Sequence, residues 1–434
     1  MSIRQRFKNA IKRGTGETYL LLKDNPKVDF SNEIIKAALE NLSYDNQCEN
    51  RDEYVFGLIE LSAQKKKIKQ VIFQALSTGN HKDWDFYQLC NIVRKFAQQG
   101  EEEARKAIFK RYYSDPRSFC QYCGDEVIVE LDGMEGLKRI AEVQGQALLE
   151  NADLYATPWI ATAFQEHNPN INVHEELADA AKTNRYIKEF LKAMIEDKGN
   201  RPKRKREKYS YETISKRLAQ NQTVYVADKR TRELTKTDVR KLADDLLKQT
   251  DRKKIAAYLS IFTTVKFPYD YHALLKYVQF ENMQNKKWRS KNWDMLVKRA
   301  CDALKFFSGT DIRKLALEKL NEIRCPYEYM SLLVKNYKKG DAKLLTDIVM
   351  RCKNDDEIHS VACGIIKIYE AQKAKECKEP LESIYDRMNC GSHRKDIVEI
   401  LLKNSVLPDK LKREIQFDSE EDTRKLYAGL GGIL

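Results

Sequence analysis

Residues 82–113 read KDWDFYQLCNIVRKFAQQGEEEARKAIFKRYY, and this stretch decides the fold class. Its first half spaces apolar side chains along one face of an α-helix; they are Trp84, Phe86, Leu89, Ile92, Val93 and Phe96. Gly100 interrupts the pattern, and acidic residues then open a second amphipathic run, which suits a helix N-terminus. Asp115-Pro116 ends this run, because proline disfavours a helical residue before it. Two helices with so short a connection must fold back as a helical hairpin.

The same pattern returns towards the C-terminus. EEARKAIFKR (102–111), TDIRKLALEK (310–319) and SHRKDIVEIL (392–401) share a polar start, an early Arg or Lys, and then apolar residues at helical spacing. Successive hairpins recur roughly every 30–40 residues, within the range of solenoid repeats. Since one hairpin of this size cannot bury its own apolar face, neighbouring hairpins must stack. The sequence therefore predicts an all-α protein built as an α-solenoid of stacked antiparallel helical hairpins.

Paired helices with a short acidic-x-Arg opening resemble HEAT repeats. GTGETYLLLKDNPKVDFSNEIIKAALENLSYDNQCE (14–49), DFYQLCNIVRKFAQQGEEEARKAIFKRY (85–112) and LDGMEGLKRIAEVQG (131–145) are similar to a group of bacterial HEAT-repeat proteins without an assigned function. The resemblance covers roughly residues 14–200, and HEAT-like hairpins cover much of 300–415. It implies a HEAT-like fold and carries no functional residues.

The chain divides by composition into four segments. We predict an N-terminal HEAT-like lobe (1–198), a basic linker or arm (199–209), basic helical repeats (210–300) and C-terminal HEAT-like repeats (301–434). Two stretches fit the repeat pattern poorly, and we expect them to form inter-repeat loops; they are 114–135 and 150–175, the second of which includes an Asn-Pro pair. Within the first, EVIVELDG also fits a short strand or the start of a helix.

Composition favours a cytoplasmic protein without a membrane span. No run of 18 apolar residues is present, and the basic N-terminus lacks the apolar core of a secretory signal. Ten cysteines are spread along the chain without a dense framework, which indicates reduced thiols. Cys120 and Cys123 form the one CxxC pair, and without a second pair nearby they are expected to be packing residues. We therefore expect no metal and no cofactor.

The net charge of +13 is concentrated in one quarter of the chain. Residues 201–300 contain 26 basic and 11 acidic residues, whereas 1–200 contain 28 and 31, and 301–434 contain 24 and 23. A general solubility bias would spread the charge evenly, so this distribution indicates a positively charged patch.

A patch of this kind favours binding of nucleic acid or another polyanion. Phosphate backbones need positive charge repeated along a surface, and aromatic residues among the cations can stack on unpaired bases. The predicted nucleic-acid-binding residues are Arg201, Lys203, Arg204, Lys205, Arg206, Lys208, Lys216, Arg217, Lys286, Lys287, Trp288 and Arg289. Additional stacking candidates are Tyr209, Tyr211 and Tyr225, although Tyr211 also fits a core stripe with Ile214 and Leu218. We expect mostly backbone-directed, non-enzymatic binding, and no catalytic motif is recognised.

Two alternatives use the same fold. Some HEAT-like solenoids are DNA glycosylases that act on alkylated bases with aromatic residues and a carboxylate. This chain offers Tyr269, Asp270 and Tyr271 for that role, or Trp288, Arg289, Trp293 and Asp294. The second alternative is a protein-interaction scaffold whose basic patch binds an acidic protein partner.

Overall fold

The computed structural model describes residues 1–79, 83–121, 124–151, 159–200, 208–220, 222, 224, 233–278 and 294–430. All regular secondary structure in these residues is helical, which confirms the all-α prediction. The described α-helices of the first half are α1 (Ile3–Arg13), α2 (Glu17–Asp24), α3 (Ser31–Leu39), α4 (Asp52–Leu61), α5 (Lys65–Thr78), α6 (Asp83–Gln98), α7 (Glu102–Ser114), α8 (Pro116–Gln121), α9 (Asp125–Glu150), α10 (Trp159–His167), α11 (Val173–Ala180) and α12 (Arg185–Asn200).

The described α-helices of the second half follow in the same order. They are α13 (Tyr211–Ala219), α14 (Lys236–Lys248), α15 (Arg252–Phe262), α16 (His272–Val278), α17 (Asp294–Leu304), α18 (Thr310–Glu322), α19 (Asp341–Arg351), α20 (Asp355–Ala371), α21 (Lys378–Tyr385), α22 (Gly391–Lys403), α23 (Asp409–Ile415) and α24 (Glu421–Leu430). Short 3-10 helices lie at Met330–Leu333 and Lys375–Cys377. No described helix combines the length and the apolar character that crossing a lipid bilayer requires.

The hairpin predicted at residues 82–113 is confirmed as α6 and α7, which pack on each other. Five of the six predicted stripe residues are fully buried, and Trp84 is half-buried. Gly100 has a φ of 89°, a left-handed conformation that glycine adopts without the steric cost of a side chain. The second helix ends at Ser114, directly before Asp115-Pro116. The apolar period and the two chain-breaking residues therefore determine this unit locally.

The prediction of loops at 114–135 and 150–175 is wrong for most of the described residues, and the alternative that EVIVELDG starts a helix is correct. Pro116 opens a helix, where its missing N–H costs nothing, and EVIVELDG lies inside the 26-residue helix α9. Val127, Ile128 and Val129 resemble a strand by residue type, but they are buried in the core, and this packing outweighs their weak helix propensity. Gly133, with a φ of 59°, marks a kink in α9. In the second stretch, α10 and α11 cover 159–167 and 173–175, whereas 168–172, which contains the Asn-Pro pair, is a loop.

The chain forms two compact units, which are described separately. Unit 1 comprises Met1–Lys203, Asn389–Gly391 and Lys410–Leu434, and unit 2 comprises Arg204–Met388 and Ser392–Asp409. Unit 1 has one continuous apolar core, which runs through its helices from Phe7 to Met194. Unit 2 contains the described part of the basic segment. The boundaries of the four predicted segments stay predictions.

A buried polar network in unit 1 joins residues that are far apart in sequence. Arg51 is 2% exposed, and its guanidinium donates hydrogen bonds to the main-chain carbonyls of Lys12 (2.6 Å), Arg13 (3.1 Å) and Asn389 (3.0 Å). It also donates to the carboxylate of Glu49 at 2.8 Å. The carbonyls of residues 12 and 13 end helix α1, which has no intrahelical donor for them. Arg51 therefore bonds to the last main-chain carbonyls of α1 and also to the carbonyl of Asn389, which is 338 residues away in sequence.

Candidate nucleic-acid interface

Most of the predicted binding residues lie outside the described part of the chain. They are Arg201, Lys203, Arg204, Lys205, Arg206, Lys286, Lys287, Trp288 and Arg289, together with the stacking candidate Tyr225. Of the remaining three, Lys208 and Lys216 are exposed and Arg217 is half-buried. The described interface is therefore built from Lys208 onward, within unit 2.

Helix α13 carries Lys216 and Arg217, and it has a defined N-terminal cap and one buried face. Ser210 caps it with a reciprocal capping box, in which the Thr213 N–H donates to Ser210 Oγ and the Ser210 N–H donates to Thr213 Oγ1. Ile214 and Leu218 are buried on one face, which leaves Lys216 in solvent on the other. The amphipathic helix that the sequence predicts here is confirmed.

Two of the predicted stacking aromatics are already engaged. Tyr209 is 2% exposed, so it cannot stack on a base, and its assignment as a stacking residue is wrong. The Tyr211 hydroxyl donates to Asp245 Oδ2 at 3.0 Å, and Lys241 Nζ lies 5.1 Å from the centre of its ring. Tyr211 thus joins α13 to α14 and holds a lysine at the surface by a cation–π contact. The burial of these tyrosines could not be predicted from the sequence, because charged residues dominate the pattern of this segment.

A cleft of about 600 Å³ lies beside α13, and sequence reasoning did not identify it. We call it the cationic cleft. Its described lining is Leu218, Gln222, Val224, Asp251, Lys253, Lys254, Ala257, Tyr258, Ser260 and Arg299. The residues come from the end of α13 and the segment after it, from Asp251 and α15, and from the middle of α17. The only signal in the sequence was the charged run Asp251–Lys254, which gives no indication of a concave surface.

The N-terminus of α15 fixes the positions of two lysines at this cleft. Asp251 Oδ1 accepts the backbone N–H groups of Lys253 (2.7 Å) and Lys254 (3.2 Å), as an N-cap residue does. These hydrogen bonds, from Lys254 and Lys253, hold the pKa of Asp251 below its ordinary value, so the carboxylate is charged at neutral pH. Both lysine side chains are exposed, and neither forms an ion pair with a described carboxylate. The mouth of the cleft therefore carries two available cations and one anion.

Arg299 supplies the deepest charge of the cleft. It is half-buried on α17, and its guanidinium donates to the main-chain carbonyl of Ala256 at 2.9 Å. Burial lowers the pKa of Arg299, but a guanidinium keeps its charge at neutral pH. Tyr258, which is 8% exposed, forms part of the wall. The cleft thus combines a guanidinium that a hydrogen bond holds in place, a tyrosine side chain and the ammonium groups of two exposed lysines.

Many exposed cations of this region form no ion pair with a described carboxylate. Within the described residues 208–278, ten exposed Lys and Arg side chains form no ion pair with a described carboxylate; they are Lys208, Lys216, Lys236, Arg240, Lys241, Lys248, Lys253, Lys254, Lys266 and Lys276. In unit 1, by contrast, Arg105 and Arg139 share Asp132, and Arg94 pairs with Glu130. Ion pairs with described carboxylates therefore do not neutralise these ten cations.

Tyr269, Asp270 and Tyr271, the described residues of the glycosylase alternative, are absent from the described lining of the cationic cleft. The Tyr269 hydroxyl donates to Asp244 Oδ1 at 2.7 Å, whereas the Tyr271 hydroxyl donates to Asp311 Oδ1 at 2.8 Å. The Asp270 carboxylate contacts the ring of His272. These three side chains are exposed or half-buried and are held by different partners. Trp288, Arg289, Trp293 and the side chain of Asp294 lie outside the described residues.

Comparison with protein-family models, with curated proteins and with solved structures found no match to this chain. Inference about its function therefore rests on the chemistry of its own residues.

Proposed function

We propose that this protein binds nucleic acid without catalysis, through the phosphate backbone, on the basic helices of unit 2. The observation that carries the proposal is the set of ten exposed cations without carboxylate partners in residues 208–278. Unpaired surface cations repel one another, so such a set costs stability unless a polyanion binds to it. Each cation that neutralises a phosphate releases a counterion, and this release drives binding regardless of sequence.

The cationic cleft gives this surface a concave element. Its volume is within the range of small-ligand sites, large enough for one sugar–phosphate unit of a strand. Arg299 is pre-positioned by its hydrogen bond to Ala256, which reduces the entropy lost on binding a phosphate. Lys253 and Lys254 extend the positive charge from the cleft to the surface. Binding of this type reads the backbone and carries little sequence information.

The proposal includes two further features that the sequence predicts. The first is a HEAT-like stacking of hairpins, and it is supported by helices of unit 1 that contact their second neighbours, α3 with α5, α4 with α6 and α5 with α7. The second is a cytoplasmic location, and it is supported by the nine described cysteines, all of which are free. A scaffold that binds an acidic protein would use the same cations, so the test must separate the two partners.

The variant Lys253→Glu/Lys254→Glu tests the cleft. We expect oligonucleotide affinity to fall roughly tenfold or more at 100 mM salt, and the slope of log K against log salt to decrease by about 2, because two phosphate contacts are lost. Fluorescence anisotropy with labelled single- and double-stranded oligonucleotides over a salt series measures both quantities.

The matched control is Lys66→Glu/Lys110→Glu, which changes the same charge at two exposed lysines of unit 1 without described carboxylate partners. It should bind nearly as the unaltered protein does. Equal losses in the two variants would mean that only net charge matters, and the proposed surface would be wrong. Absence of binding by the unaltered protein at low salt would instead favour the scaffold with an acidic protein partner.

A second variant, Asp251→Asn, tests whether the Asp251 carboxylate only repels phosphate, as on a binding surface, or contacts the ligand, as a catalytic group would. Asparagine caps a helix about as well as aspartate, so α15 should stay folded while the cleft loses its one described acidic side chain. We expect oligonucleotide affinity to rise roughly two- to fivefold, because the carboxylate repels phosphate. Glu102→Gln, at an exposed acid of unit 1, is the control and should change nothing. Weaker binding by Asp251→Asn would show that the carboxylate contacts the ligand.

A further inference from the structure

Two cysteines of unit 2 come together although they belong to different segments of the chain. Cys325 lies in the loop after α18, and Cys352 is the residue directly after α19. Their side chains are hydrogen-bonded to each other, so the two sulfur atoms are neighbours. Neither cysteine is in a disulfide; Cys325 is half-buried, and Cys352 is 4% exposed.

Polar contacts hold these two segments against each other. The guanidinium of Arg351 donates a hydrogen bond to the main-chain carbonyl of Leu320, near the end of α18, at 2.7 Å. The carboxylate of Glu357 pairs with Arg324 at 2.6 Å and accepts the backbone N–H of Lys353 at 2.7 Å. Arg324 and Lys353 are chain neighbours of the two cysteines, so these contacts keep the two thiols side by side in the folded chain.

The surroundings of the pair favour a thiolate at Cys352. The hydrogen bond from Cys325 lowers the pKa of the Cys352 thiol, and the positive charges of Arg387 and Arg324 act in the same direction, although burial opposes them. Arg387 is held there, because its guanidinium donates to the main-chain carbonyl of Cys352 at 2.6 Å. The same hydrogen bond between the thiols, together with burial, raises the pKa of Cys325. The pair therefore resembles redox-sensing sites, which place a reactive thiolate next to a second thiol.

We propose that Cys325 and Cys352 form a reversible disulfide when a peroxide oxidises the protein. The disulfide would join the loop after α18 to the end of α19 and restrict the motion of this part of unit 2. Hydrogen peroxide is small, which suits a thiol as buried as that of Cys352. In a reducing compartment such a bond is transient and serves to sense oxidation. This inference is independent of the proposed nucleic-acid binding.

The oxidation takes place in two steps. In the first, the Cys352 thiolate attacks one peroxide oxygen, the O–O bond breaks, and the departing hydroxide takes up a proton to become water, which leaves a sulfenic acid on Cys352. In the second, the Cys325 sulfur attacks the Cys352 sulfur, an S–S bond forms, and the S–O bond breaks to release a second water with the Cys325 proton. The two thiols together lose two protons and two electrons, and the peroxide is reduced to two waters.

The test exposes the full chain, reduced and then freed of reductant, to a small excess of hydrogen peroxide and blocks the remaining thiols with N-ethylmaleimide. We expect two of the ten cysteines to escape labelling. Proteolysis without reductant, followed by mass spectrometry, should identify a peptide that joins Cys325 to Cys352. Dithiothreitol should restore both thiols, because a disulfide is reducible whereas a sulfinic acid is not. Absence of the joined peptide, or a loss that dithiothreitol does not reverse, would overturn the proposal.

Single variants assign the two roles. In Cys325→Ser the sulfenic acid on Cys352 has no second thiol to react with, so dimedone, which labels sulfenic acids, should label Cys352 there and label it less in the unaltered protein. Cys48→Ser is the matched control, since it removes an exposed cysteine of unit 1, and it should form the joined peptide as the unaltered protein does. If a variant fails to fold, the joined peptide of the unaltered protein decides alone.

Discussion

Replacing Arg51 by methionine is expected to lower the free energy of unfolding of unit 1 by about 3–5 kcal/mol. Methionine keeps much of the side-chain volume but supplies no donor. The carbonyls of Lys12 and Arg13 would then lose the guanidinium that satisfies them, and so would the carbonyl of Asn389. Polar groups buried without a partner retain the full cost of their lost hydration, which makes this loss large.

Glu49 increases the expected effect. Its carboxylate is 7% exposed and also accepts hydrogen bonds from the Gly391 N–H (3.0 Å) and from Ser419 Oγ (2.8 Å). Without Arg51, this buried carboxylate would lose the guanidinium that donates to it at 2.8 Å. Breaking one partner of a buried pair costs more than the pair contributes, because the other charge stays buried. The double variant Arg51→Met/Glu49→Gln should therefore recover part of the lost stability.

Urea unfolding followed by far-UV circular dichroism measures the change, and hydrogen exchange of α1 gives a local readout in unit 1. Arg117→Met is the control, because Arg117 pairs with Glu150 at 2.5 Å while both side chains are about half exposed. Exposed ion pairs contribute little to stability, so no measurable change is expected there. An equal shift in the two variants would mean that the Arg51 network does not hold unit 1 together.

The fold class could be predicted from the sequence because it depends on local patterns. An apolar period of 3.6, Gly100 and Asp115-Pro116 determine the α6–α7 hairpin without reference to the rest of the chain. The pattern failed at 114–135 because residue type and packing disagree there. Val127, Ile128 and Val129 favour strands by propensity, but they are buried in a helix whose neighbours cover them.

The long-range contacts could not be predicted in this way. Arg51 bonds to a carbonyl 338 residues away, and a repeat pattern indicates contacts only between neighbouring hairpins. The cationic cleft has the same origin, since Leu218, Lys254 and Arg299 belong to three helices. A single sequence shows the charge of these residues, but it does not show that the fold brings them together.

The two site predictions differ in how well the sequence could support them. Net charge is additive along the chain, so the basic segment was recognisable, and Lys208 and Lys216 are exposed as expected. Tyr209 was misassigned because an aromatic among cations looks the same whether it is buried or exposed.

Reversing Arg201, Lys203, Arg204, Lys205, Arg206 and Lys208 to glutamate is expected to abolish measurable DNA and RNA binding at moderate salt. Each reversal changes the charge by two, so the net charge of the chain falls from +13 to +1. Six phosphate contacts correspond to a log–log salt slope of about 4–5, and their loss removes roughly a thousandfold in affinity. Of the six residues, the structure describes Lys208, which is exposed.

The controls separate an electrostatic arm from a linker or a localisation signal. Shuffling RPKRKREK (201–208) keeps its charge and should keep binding, because counterion release does not depend on residue order. A neutral Gly/Ser segment of the same length keeps any linker function but should lose most of the affinity. Circular dichroism should be unchanged in every variant, because a linker or arm is expected to contribute little to the folded helices. The decisive measurement is fluorescence anisotropy on single- and double-stranded oligonucleotides across a salt series. If the six-residue reversal binds as the unaltered protein does, the arm makes no phosphate contacts, and the positive charge of residues 199–209 serves only to connect or to address the chain.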